Sequence, residues 1–158
     1  MEKQGKYNQT LFALILIVLM IIISCDKNDN EIKGITRTDA NGNILSVDED
    51  DWVMRSSASS ENEPSISPPY PNPVTGPLQF KFGLADTMRV TFHIRNSKKV
   101  VRTLLESELR QSGFHTILWD LKGGDGEVVP DGLYRCIITF LYGDTTFNTY
   151  GDIQIDVM

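Results

Sequence analysis

The sequence predicts an all-β protein. It reads as an antiparallel β-sandwich of about seven strands, preceded by a signal-peptide helix and a flexible linker that carries a candidate β-hairpin. Three observations predict this. Past residue 70, apolar and polar residues alternate with period two in short runs. Gly-, Asn- and Asp-rich turn signals separate those runs. No long segment there repeats with the helical period of 3.6.

The first element is an export signal. Lys3 and Lys6 precede an unbroken apolar run from Leu11 to Ile23. A basic start, an apolar middle and a small residue before a break are the parts of a secretory signal peptide. The run is shorter than the roughly 20 residues a spanning helix wants, and it stops abruptly at Ser24. An uncleaved anchor is the alternative. Ile22-Ile23-Ser24-Cys25 resembles the lipobox of bacterial lipoproteins. That resemblance implies cleavage before Cys25, diacylglycerol on Cys25, and a mature chain anchored by its N-terminal lipid in the cell envelope; the outer membrane of a Gram-negative bacterium is the expected location, with the inner membrane as the alternative. Each buried methylene contributes about 0.8 kcal/mol, so more than one acyl chain anchors firmly.

Residues 25–69 read as a lipidated tether and linker. Asp26, Asp29 and Glu31 make its start polar and acidic. Such residues resemble the surface-export signals of some lipoproteins, whereas an Asp straight after the cysteine resembles an inner-membrane retention signal, so the leaflet stays open. Asn41-Gly42 lies between the β-prone runs Ile35–Thr38 and Ile44–Val47 and predicts a hairpin over 35–47. Trp52, beside Val53 and Met54, is expected to anchor on the main domain. Arg55 to Pro69 is rich in Ser, Asn, Glu and Pro and reads as linker.

Residues 70–158 read as the sandwich. Leu78, Phe80, Phe82 and Leu84 share one face of a strand, and Val90, Phe92 and Ile94 share one face of the next. Val100 to Leu105 is a strand whose inward face the pattern does not fix. His115, Ile117 and Trp119 share a face, as do Tyr134, Cys136, Ile138 and Phe140. In the last strand Ile153, Ile155 and Val157 oppose Asp152, Gln154 and Asp156, which are expected to face solvent.

The order of motifs resembles the immunoglobulin-like domain of flagellar hook-capping proteins, which is similar to the C-terminal sorting domains of type IX secretion cargo. The matching residues are Tyr70-Pro71-Asn72-Pro73, Val90–Ile94, Val101 and Leu104, Gly113-Phe114-His115, Trp119-Asp120, and Asp125 to Tyr134 with its Gly126 and Gly132. Pro71 and Pro73 are expected to fix an extended entry and block edge pairing. Trp119 should fill the sandwich centre, with Tyr134 beside it and its hydroxyl near the rim. Gly126 and Gly132 should occupy turns that a Cβ would strain. Two departures stand out: the turn after the second strand is Asn96-Ser97-Lys98-Lys99 rather than glycine-bearing, and Leu121 replaces the usual glycine after Trp-Asp.

Composition bounds the function. The chain carries a net charge of −6, and removing Lys3, Lys6 and Glu2 with the signal leaves 13 basic against 20 acidic residues, a net −7. That balance argues against nucleic acid, which needs a basic face. The cysteines are Cys25 and Cys136. With Cys25 acylated, Cys136 has no disulfide partner and acts as a small hydrophobe.

No constellation points to catalysis, a cofactor or a metal. Asp39, Asn41 and Asn43 have the spacing of the first EF-hand ligands, but Ile44 stands where that loop needs glycine. Asp120, Asp125 and Asp131 read as turn residues before they read as a cation site. His93 is expected at solvent and His115 at the core rim, with no third zinc ligand. No nucleophile elbow is present. Arg89, Arg95, Lys98 and Lys99 form a basic edge. The expected function is a non-catalytic interaction or structural module of the envelope, meeting another envelope protein. Alternatives are a type IX secretion sorting domain and, more remotely, a carbohydrate-binding or hydrolytic sandwich.

Overall fold

The computed structural model describes residues 34–157. Cys25 and the signal segment lie outside them. The described chain is all-β: β1 (Arg37–Thr38), β2 (Ile44–Ser46), β3 (Arg55–Ser56), β4 (Ser65–Tyr70), β5 (Leu78–Leu84), β6 (Met88–Arg95), β7 (Val100–Arg110), β8 (Gly113–Trp119), β9 (Gly132–Tyr142) and β10 (Thr145–Ile155). A five-stranded sheet in the order β3-β10-β9-β6-β7 faces a three-stranded sheet in the order β4-β5-β8, and β1-β2 is a separate hairpin. Every pairing between these strands is antiparallel. This is the expected immunoglobulin-like sandwich.

The core follows the period-two pattern. Leu78, Phe80, Phe82 and Leu84 of β5 meet Val90, Phe92 and Ile94 of β6 and Cys136, Ile138 and Phe140 of β9, all buried. Phe80 sets its edge on Phe92 at a centroid distance of 4.7 Å, and Phe82 does so on Phe140 at 5.5 Å. Such edge-on pairs add about 0.5–1.5 kcal/mol beyond area burial. Cys136 is wholly buried, and burial pushes its thiol well up.

Several elements differ from expectation. The stretch 55–69, read as linker, supplies β3 and β4. β4 carries Pro68 and Pro69 and still pairs with β5, with its register shifting between Ser67 and Tyr70. The Tyr70–Pro73 entry is not a simple extended run, because the Tyr70-Pro71 and Asn72-Pro73 peptides are both cis. β7 shifts register against β6 at three places, and Ser107 sits at φ +50°. Those bulges explain why its inward face could not be read from alternation. Val157 is half out at the end of the chain.

Asp152 overturns the expectation of a solvated face. It is buried opposite Arg135, its direct cross-strand neighbour on β9. Arg135 Nε and Nη2 donate to the two Asp152 carboxylate oxygens at 2.8 and 2.7 Å. The reason is cover from the N-terminal segment. Tyr150 lies between the Arg135 and Arg55 guanidinium groups, each 4.3 Å from its ring centroid, and its hydroxyl donates to Asp50.

Candidate functional site

Functional surface on a sandwich lies at its edges, loops and outer faces, so each is built in turn from its residues. The outer edge of β10 is fully occupied. Trp52 N–H donates to Tyr150 O at 2.6 Å, and Val74 exchanges bonds with Gln154 O and Asp156 N–H at 2.7 and 2.9 Å. Asp51 accepts from Asp152 N–H at 2.8 Å and from Thr36 N–H at 2.7 Å. Burial pushes the Asp51 carboxyl up to about 6, against the lowering effect of those two donors. Trp52 covers Gly151, where an added Cβ would run into the indole, and reaches toward Phe80 at 6.5 Å. Trp52 therefore anchors the segment on the core.

Asn72 is the centre of this seam. Its amide Nδ2 donates to Thr36 O and Asp152 O at 2.7 and 3.1 Å, and its Oδ1 accepts from Gln154 N–H at 3.1 Å. Its backbone pairs with Thr38. The asparagine of the Tyr-Pro-Asn-Pro entry thus joins hairpin, entry and last strand, while its prolines flank it without taking ladder bonds. Sequence reasoning marked Asn72 but missed this role, together with Asp51, Arg135 and Asp152. An Asn between two prolines was the available signal.

The other motif residues lie at the loop end. Trp119 is buried, and its Nε1–H donates to Lys122 O at 2.8 Å. Asp120 accepts from Lys122 N–H at 3.2 Å and so holds the turn. Leu121 takes φ +63° and is buried. Here a leucine adopts the backbone region a glycine enters freely, at about 1–2 kcal/mol, offset by burial of a side chain worth about 1.5–3 kcal/mol. Gly126 lies at φ +86° in a turn closed by its N–H to Gly123 O. Gly132 begins β9, and the Tyr134 hydroxyl donates to Pro130 O at 2.7 Å. The glycine-free turn is stable because Asn96 Oδ1 accepts the N–H groups of Lys98 and Lys99, each at 2.9 Å.

An open cleft of about 660 Å³ lies between the 96–101 turn and the 123–134 loop, lined among others by Lys99, Val101, Asp125, Glu127, Asp131 and Tyr134. Two of its carboxylates already serve the fold: Asp125 accepts from Glu127 N–H and Asp131 from Val157 N–H. Asp39 likewise accepts from the Asn43 side-chain amide at 2.7 Å and from Asn43 and Asn41 N–H in the hairpin turn, and these bonds, the side-chain one foremost, hold its carboxyl below the usual range. His93 bonds the Thr103 hydroxyl at 3.0 Å, and His115 stacks on Phe82 and bonds Gln111 O. Among the described residues, no three His, Cys, Asp or Glu side chains cluster as metal ligands would.

The β8 edge is different. Gly113 opens β8 at φ +124°. Phe114 is 95% exposed and Leu118 is 69% exposed, on the face opposite His115, Ile117 and Trp119. β8 pairs with β5 in unbroken register from Gly113 to Trp119, and among the described residues no strand follows it in the sheet. Phe114 lies over Gly83, beside a hollow of about 220 Å³ lined by Glu63, Ser65, Gly83, Leu84, Ala85 and Gly113.

The fold and its edges define an all-β sandwich domain. The chain is similar to the basal-body rod modification protein FlgD of Salmonella typhimurium strain LT2, with 44% identity over 61 residues, 39% of this chain and 25% of that protein. The same figures hold for FlgD of Salmonella typhi. The chain spans about a quarter of the length of these relatives. Among solved structures, dimeric latent PorU from Porphyromonas gingivalis shares the fold at a TM-score of 0.51 and 18% identity, over 63% of this chain and 10% of that one. No protein-family model matches the chain.

Proposed function

We propose that this chain is an exported protein, anchored in the cell envelope through a lipid on Cys25, whose sandwich is a non-catalytic interaction or structural module for another protein. The observation that carries the reading is the β8 edge, which leaves Phe114 and Leu118 in solvent on a strand free to pair. Addition of a strand to such an edge is a common recognition mode. Two further observations support it. Asp51, Asp120, Asp125 and Asp131 each accept a backbone N–H that holds a turn or the β10 seam. The Salmonella relatives are basal-body rod modification proteins, which fits a role in assembly for the shared segment.

Two measurements test this. Cys25→Ala should move the protein from the membrane to the soluble fraction, while an unchanged distribution refutes the anchor. Leu118→Lys should abolish association in the envelope with thermal stability intact, while unchanged association refutes the edge.

A second reading, a type IX secretion address, draws on the Tyr70–Tyr134 motif order that resembles sorting domains. Intact-mass measurement separates the two. A sorting domain is removed on export, whereas an interaction module keeps β10.

A further inference from the structure

We infer that the β8 edge pairs with the β8 edge of a second copy of this chain, across a two-fold axis at Thr116. The inference deepens the proposed function by naming the partner, and it rests on β8 being the contact surface.

The argument begins with how the sheets end. An unpaired strand edge invites pairing, and proteins blunt such edges with charge, proline, bulges or cover. The β10 edge is covered by β3, by residues 51–52 and by Val74. The β4 edge carries Pro68 and Pro69 and holds the hairpin through Thr38, whose hydroxyl donates to Pro69 O at 2.7 Å. The β7 edge carries Arg102, Glu106, Glu108 and Arg110 and is broken by the bulges around Ser107. β8 has none of these devices. Its 7 residues, Gly113 to Trp119, contain no charge and no proline, and its register is regular.

Its side chains also fit a copy of themselves. In antiparallel pairing centred on Thr116, Phe114 lies opposite Leu118 of the second copy, and Thr116 lies opposite Thr116. These three residues share the solvent face, so the join builds a ladder Phe-Leu, Thr-Thr, Leu-Phe. Apolar and Thr-Thr cross-strand pairs each contribute favourably. A residue i meeting j while j meets i is what a closed two-fold contact requires. Charge favours this place as well. Two mature chains, each with 13 basic against 20 acidic residues and a net charge of −7, repel, yet in this register no like charges meet within β8. The joined sheet would run β4-β5-β8 into the β8-β5-β4 of the second copy.

A strand of 7 residues is a small interface beside the roughly 1,200–2,000 Å² of stable complexes. The contact is therefore weak in free solution. It gains strength when both copies are held at one membrane surface, where tethering raises their effective concentration.

The test uses the full chain in its membrane. Thr116→Cys places one thiol on each side of the axis, with Cβ atoms about 4.5–5.5 Å apart, and mild oxidation or a short bis-maleimide should link most of the protein as a dimer. Glu106→Cys on β7 is the control and should link no more than the wild-type chain. Adding Leu118→Lys to Thr116→Cys should abolish the link, with circular dichroism showing an unchanged melting temperature. Linking of Thr116→Cys at the level of Glu106→Cys overturns the homotypic pairing. If Leu118→Lys alone then still releases a distinct co-isolated protein, β8 remains the contact surface and only its occupant was wrong. If it releases nothing, both readings fail.

Discussion

The edges of β10 and β8 solve the same physical problem in opposite ways. Each could expose a row of N–H and C=O groups. At β10 the chain spends two separated segments, residues 51–57 and 72–74, on closing that row. At β8 it spends nothing and adds two exposed apolar side chains. The contrast teaches that the seam serves the integrity of the fold, while the β8 edge, where the proposed contact falls, ends its sheet with no described strand beside it.

The contrast breaks most sharply at Asp152. Asp152→Ala leaves the Arg135 guanidinium buried without its bidentate partner. Removing one member of a buried pair costs about 3–5 kcal/mol, so urea unfolding should show that loss, and the melting temperature should fall by about 10 °C or more. Asn72→Ala strips partners from Thr36 O, Asp152 O and Gln154 N–H in one step. A loss of about 3 kcal/mol is expected, accompanied by faster hydrogen exchange along β10 and the hairpin.

Acidity sharpens the same contrast. The Asp51 carboxyl is pushed up to about 6 in the fold, above its ordinary 3.8. The folded state therefore binds a proton that the unfolded chain releases between those values. Stability should rise as pH falls from 7 through 6 toward 4, by on the order of 1 kcal/mol after allowance for solvent screening. Asp51→Asn should flatten that part of the pH profile of urea unfolding. The smallest effect belongs to β8. Phe114→Ser and Leu118→Ser should change stability by less than about 0.5 kcal/mol, because neither side chain loses burial, while both weaken any contact made there.

Much of the sandwich was legible because alternation reports burial wherever one face is dry. β5, β6 and β9, with Ile153 and Ile155 of β10, wrote their inward residues plainly, and Trp119 and Tyr134 are buried as their motifs implied. The seam was not legible, for a physical reason. Arg135 and Asp152 sit on the polar phase of their strands, and what buries them arrives from about a hundred positions away, as in the Asp51–Asp152 bond. No local pattern encodes such cover. β4 hid behind Pro68 and Pro69, which read as linker because central strands exclude proline, yet an outer strand tolerates it. The β8 edge was half legible. Period two placed Phe114 and Leu118 outward, but only the strand order shows that no described strand lies beside them.

Cys136 carries a consequence of its own. It sits at full burial in β9, between β6 and β10, with its thiol held protonated. An oxidant or alkylating probe reaches that sulfur only when the central strands part, so its labelling rate reads global opening and ignores fraying of the hairpin or the termini. The chain thus contains its own clock for complete unfolding, usable in intact cells without any added tag.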